Sequence, residues 1–220
     1  MSYIGTHPVQ TDRTTSGTFQ VNELIERQKR GMHPNSSWDL VGYVNTRDGD
    51  SNIADAYDFA LPDYDVFYLD IAESSFQTGT SQSSAEPRIQ LSEDNGTTFL
   101  SANYPSQRSY GNSSSTTINN SGFATTDGIR LTTNTYHITV PTFGAYAYIF
   151  NAKTNGKRTT IVGKAHFKDT SAISHWGEFF GNNTSTNVTT DIRFYTSDIG
   201  QANAQIVLVA SLWGCKNYGK

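Results

Sequence analysis

Asp191-Ile-Arg-Phe-Tyr-Thr-Ser-Asp-Ile-Gly-Gln-Ala-Asn-Ala-Gln-Ile-Val-Leu-Val-Ala-Ser-Leu-Trp-Gly214 is the stretch on which the fold turns. Ile192 and Phe194 alternate with Arg193 and Tyr195, the period-two pattern of a strand with one dry and one wet face. After a polar interval around Gly200, the run Ile206-Val207-Leu208-Val209-Ala210 has no polar side chain and is rich in β-branched residues. It is too short for a solitary helix and reads as a strand buried on both faces. Paired as a hairpin, the two place the most apolar strand of the protein at the C-terminal end, so the core waits for the last residues to arrive.

Upstream of this stretch the same signal recurs. Segments 38–44, 53–59, 64–72, 88–92, 99–104, 136–140, 145–151, 159–167 and 173–180 alternate apolar with polar or aromatic residues. The turn clusters Asp48-Gly-Asp, Asp94-Asn-Gly, Asn155-Gly and Gly181-Asn-Asn lie between them. Together with 190–196 and 205–213, these segments predict one antiparallel two-sheet β-sandwich over 38–220, most simply a jelly roll. The Ser/Thr/Gln tract 74–86 and the Ser/Asn tract 111–122 are too polar to pack and read as long exposed loops.

Residues 1–19 lack periodicity and are rich in Thr, Gly and Pro, which predicts an extended arm. Residues 20–30 (QVNELIERQKR) carry acids early, bases late and Gly31 as a stop, the marks of a short amphipathic helix. Such a helix is marginal alone in water, so its Val21, Leu24 and Ile25 face is expected to dock on another surface. Residues 1–37 thus read as an arm and anchoring helix ahead of the sandwich.

The formal net charge of −4 and pI near 5.7 leave no basic stripe for nucleic acid. Charge is uneven along the chain: 48–94 holds eleven acids with Arg88 as its one base, whereas 95–220 holds ten Lys/Arg against five acids. This predicts an acidic end or face, able to steer the packing of copies. The single Cys215 cannot form an internal disulfide. No run of about 18 apolar residues and no signal peptide is present. Neither membrane insertion nor export by the usual secretory route is expected.

The opening Met1-Ser-Tyr-Ile-Gly-Thr-His-Pro resembles the start of many bacteriophage tail-fibre and accessory virion proteins, especially from viruses of marine bacteria and cyanobacteria. Thr15-Ser-Gly-Thr-Phe-Gln-Val-Asn-Glu-Leu, followed by a basic helix and a Trp, looks like the lead-in to β-sandwich modules of that group. Tyr64-Asp-Val-Phe-Tyr-Leu-Asp-Ile, Arg88-Ile-Gln-Leu-Ser-Glu-Asp-Asn-Gly-Thr-Thr-Phe and Ala210-Ser-Leu-Trp-Gly are similar to its strand, turn and closing phrases. Trp213 stands where Tyr is common, and six residues follow Gly214. The resemblance implies a virion structural protein assembled in the host cytoplasm, often trimeric and exposed on tail or capsid. Residues 1–31 would contact other virion proteins. It supplies no catalytic residues. The function expected is attachment to host-surface glycans from the particle exterior, with capsid decoration or cementing as the alternative.

Individual constellations add little chemistry. Asp48, Asp50, Asn52 and Asp55 form an oxygen-rich loop, but Ile53 and Phe59 stand where a Ca²⁺ loop needs Gly and Glu, so a turn is the better reading. His33, His137, His166 and His175 show no metal-ligand spacing, and Cys215 has no Cys partner. No nucleophile elbow or phosphate-binding glycine loop is present, and Glu178 and Asp191 are unremarkable among twenty acids. The chain therefore reads as a non-enzyme without cofactor or metal. Of the aromatics at predicted strand ends, Tyr104, Tyr110, Phe143, Tyr146 and Trp176 with His175, most are expected in the core. Tyr110, Tyr146 and Trp176 are the candidates for stacking on sugar rings.

Overall fold

The computed structural model describes residues 38–46, 56–77, 85–101, 104–125, 127–132, 143–168, 173–198 and 205–216. These contain twelve strands and no helix. The arm and helix expected over 1–37, with Val21, Leu24 and Ile25, lie outside the described residues, as do Asp48, Asp50, Asn52, Asp55 and the strand expected over 136–140.

The strands are β1 (Trp38–Asn45), β2 (Ala56–Ala60), β3 (Val66–Gln77), β4 (Ala85–Ser92), β5 (Tyr104–Asn112), β6 (Ser115–Thr125), β7 (Ile129–Arg130), β8 (Phe143–Phe150), β9 (Thr160–Lys168), β10 (Ser174–Asn182), β11 (Asp191–Asp198) and β12 (Gln205–Cys215). They form an eight-stranded sheet in the order β1-β12-β3-β8-β9-β10-β5-β6 and a four-stranded sheet in the order β2-β11-β4-β7. Every pairing is antiparallel. One apolar core spans both sheets, with Phe67, Leu69, Phe143, Ile149, Ile161, Phe179, Leu208 and Leu212 facing Phe59, Ile89, Leu91, Ile192 and Phe194. The stacked rings of Phe143 and Phe194, 6.0 Å apart, join them directly. This is an all-β, sandwich-like architecture.

The expected hairpin of the last two strands does not form. β11 pairs with β2 and β4, whereas β12 pairs with β1 and β3, so the chain changes sheet between Asp198 and Gln205. Their dry faces meet across the core, where both are desolvated, instead of lying side by side. Nor is β12 dry on both sides: Ile206, Leu208, Ala210 and Leu212 are buried, but Val207 and Val209 on the outer face are half-buried.

The polar tracts also resolve differently. Residues 111–122 are mostly strand, the end of β5 and most of β6, joined through a turn at Ser113 and Ser114. β6 is an edge strand exposed along most of its length, so it needs no apolar face and carries no apolar signature. Ser74–Gln77 of the other tract extend β3, with Ser74 buried, and Ala85 and Glu86 begin β4. The strand expected over 99–104 starts only at Tyr104. Its buried phenol is pinned by the Leu91 N–H it accepts (3.0 Å) and the Leu100 carbonyl it donates to (3.1 Å).

Strands from the two halves of the charge asymmetry interleave in both sheets, which brings some acids of 48–94 against bases of the later segment. Asp58 takes a two-point contact from Arg193, at 2.7 and 2.8 Å. Fully buried Glu86 bridges Arg88 (2.5 Å) and Arg130 (3.2 Å), and Arg88 also meets Asp127. Burial works against the Arg88 charge, but the hydrogen bond and charge of Glu86, aided by Asp127, outweigh it and hold its pKa above the ordinary value.

Candidate functional site

Side chains alternate across a strand, so residues out of phase with the core line the outer face of the eight-stranded sheet. The register places Asp70, Tyr146, Lys164, Glu178 and Ser109 in one transverse row over five strands. The neighbouring row is Gly144, His166, Trp176 and Gly111. On the other side runs the row Trp213, Tyr68, Tyr148, Val162 and Phe180.

The first row, with His166 and Trp176 of the second and Ile118 of β6, bounds an open groove of about 590 Å³. Trp176 is 60% exposed and Tyr146 37%, values that leave ring faces available to a ligand. The two glycines in the second row make room for the rings: a Cβ at Gly144 would sit 2.3 Å from the His166 imidazole, and one at Gly111 would sit 3.1 Å from the Trp176 indole. Lys164 donates to Glu178 across the groove floor at 2.9 Å. That hydrogen bond, then the Glu178 charge, raises the Lys164 pKa and favours its charged form. Both partners are more than half exposed, so the pair adds little stability and remains open to exchange hydrogen bonds with a ligand.

Of the aromatics singled out from the sequence, Tyr146 and Trp176 meet in this groove. Tyr110 borders it, but its ring lies on the opposite side of the sheet, 6.3 Å from His175 and beneath Arg108 at 5.8 Å. Tyr104, Phe143 and His175 are buried, and His175 stacks on Phe167 at 4.7 Å. Sequence reasoning missed Asp70 and Lys164. It also missed a second hollow on the same face, about 420 Å³, walled by Trp38, Tyr68, Tyr148 and Trp213. Its rings lie 5.1 Å apart for Tyr68 and Tyr148, 6.1 Å for Trp38 and Tyr68, and 6.2 Å for Trp38 and Tyr148. Tyr68 reaches Tyr146 at 6.1 Å, which links the hollow to the groove. The i, i+2 spacing of Tyr146 and Tyr148 was the available signal, since it places both on one strand face.

Among the described residues, no group of three or more His, Cys, Asp or Glu is placed to hold a metal ion, and no helix is long and apolar enough to cross a membrane. The chain matches no family model, no curated protein and no solved structure. The chemistry of the groove stands on its own geometry: two exposed aromatic faces flanked by a hydrogen-bonded acid and base, a carboxylate and an imidazole. Such a surface offers stacking to an apolar ring face and both donors and acceptors to hydroxyls.

Proposed function

We propose that this chain is a non-enzymatic structural component of a phage virion, mounted on the particle exterior in the manner of a tail fibre or knob, where it attaches to host-surface saccharides. The observation that carries this reading is the pairing of Tyr146 and Trp176 with Asp70, Lys164 and Glu178 on the open face of the large sheet. The strand order supports the jelly-roll reading: β1-β12-β3-β8 opposite β2-β11-β4-β7 is compatible with jelly-roll interleaving, with β9, β10, β5 and β6 extending the first sheet. On this reading, residues 1–37 form the anchoring arm and helix, and the remainder forms the presenting domain, assembled as a trimer in the host cytoplasm with other virion proteins at residues 1–31.

Spacing within the groove suits a saccharide lying across it. Asp70 and Glu178 stand three strand intervals apart in one row. At about 4.8 Å per interval their backbones are ~14 Å apart, which leaves room for a sugar ring to lie between them. Several weak sites on one particle would multiply into firm adhesion.

The test is the position and copy number of the protein on purified particles, by immuno-electron microscopy and quantitative mass spectrometry. A few copies at the tail tip are expected. Hundreds over the shell would assign it to capsid decoration instead, and absence from washed particles would refute both.

A further inference from the structure

We infer that the groove is one end of a longer track for an uncharged polysaccharide, crossing the outer face of the large sheet from Trp176 through Tyr146 and Tyr68 to Trp38 and Trp213. The inference rests on the saccharide-binding reading of the groove and names its ligand class. Three features carry it.

Trp176 shares the groove with Tyr146, and from Tyr146 onward the aromatic surface is continuous. Tyr146 contacts Tyr68 at 6.1 Å, and Tyr68 leads into the hollow formed with Trp38, Tyr148 and Trp213. Two hollows of about 590 and 420 Å³ on one face suit a chain that seats successive rings better than a single sugar. Polar groups also interrupt the aromatics at short intervals. Asp70 and the Lys164–Glu178 pair lie in the row beside the rings, and Ser211 accepts the Trp213 indole N–H at 2.9 Å. An interface with a second protein copy would be depleted of Lys, Asp and Glu at its centre.

The third feature is charge. Among the described residues, the carboxylate and ammonium side chains lining the two hollows are Asp70, Lys164 and Glu178, with the His166 imidazole beside them. Lys164 and Glu178 neutralise each other, which leaves Asp70 as the net charge. A polymer bearing carboxylates or sulfates would place them against that acid, while a neutral one meets only hydroxyl-compatible donors and acceptors.

The experiment titrates the full chain, by calorimetry and tryptophan fluorescence, with malto-, cello-, laminari- and manno-hexaose and their disaccharides, and with hexaguluronate and hyaluronan hexasaccharide as acidic counterparts. At least one neutral hexasaccharide is expected to bind more tightly than its disaccharide, with the acidic oligomers weaker. Trp176→Ala should weaken binding about tenfold, the scale of one lost aromatic stacking contact. Tyr148→Ala should weaken the hexasaccharide and leave the disaccharide unchanged, a split that a single-subsite groove would not produce. Trp176 is 60% exposed, so its variant should keep the wild-type melting temperature, whereas Tyr148→Ala also loses ring contacts to Tyr68 and Trp38, so both variants are titrated well below their own melting temperatures, which are checked first. Preference for acidic oligomers, equal affinity for short and long neutral ones, or no binding to any neutral hexasaccharide overturns the track. Self-association abolished by Tyr148→Ala, without sugar binding, assigns the face to a second copy and also overturns it. Particle-bound protein that adheres to host cells with Trp176→Ala intact in that function overturns the track while leaving the attachment reading in place.

Discussion

Replacing Glu86 by Gln tests whether the interleaving of the two sequence halves is held by buried charge. Glu86 is fully buried, and the arginine side chains it bridges are 3% exposed for Arg88 and 22% for Arg130. Glu86→Gln keeps the shape but removes the anion that compensates two cations. Breaking a buried pair from one side costs about 3–5 kcal/mol. Asp127 remains beside Arg88, so the lower end, about 3 kcal/mol, is expected here. For a domain of this size that corresponds to a fall of roughly 6–12 °C in Tm. The matched control is Asp58→Asn, which breaks the other pair between the halves, Asp58 with Arg193. Those side chains are 42% and 33% exposed, so the loss should stay within about 1 kcal/mol despite the two-point geometry. Urea unfolding followed by fluorescence, with calorimetry for Tm, measures both variants. A Glu86→Gln loss below about 1 kcal/mol, or one no larger than that of Asp58→Asn, would refute the argument that desolvation makes the Glu86 pair the stronger constraint.

Two further outcomes follow from local structure. The Asp94 carboxylate accepts from the Thr98 hydroxyl (2.5 Å), the Thr98 N–H (2.8 Å) and the Ser92 hydroxyl (2.8 Å), which lowers its pKa from 3.8 to about 2. The fold therefore favours the ionised form. The resulting stability is fully present above pH 3.8 and lost as pH falls through about 2, so Asp94→Asn should lower stability at pH 6, converge with wild type near pH 2 and flatten the pH dependence between them. In β12, Leu208→Ala should cost about 2–5 kcal/mol and half-buried Val207→Ala about half that or less, by chemical denaturation. Equal losses would contradict the one-sided burial of this strand.

Alternation along the chain was enough to find most strands, because period two reports which residues share a face. It does not report which strands are neighbours, and so Ile192 and Leu208, which face each other across the core, read as partners in a hairpin. Ser115 to Thr125 escaped notice for a different reason: an edge strand exposed to water has no dry face to announce it. The candidate site was legible in part. Trp176 and Tyr146 could be picked out as aromatics near strand ends, but Asp70 and Lys164 come beside them only through the pairing of β3, β8 and β9, a long-range register that no local pattern encodes. Tyr110 shows the converse, since a shift of one residue along β5 turns a ring from one side of the sheet to the other.

Trp38 and Cys215 are register partners at one corner of the large sheet. Antiparallel partners lie only about 5 Å apart at Cα, so whatever precedes Trp38 and whatever follows Cys215 leave the domain through the same small exit. A tag fused after the last strand starts beside the first residue of β1, whereas one inserted at the exposed Ser113 and Ser114 turn does not. The same proximity makes the domain a natural candidate for circular permutation: a short linker from Lys216 back to Trp38, with new ends opened at that turn, would preserve every strand pairing described.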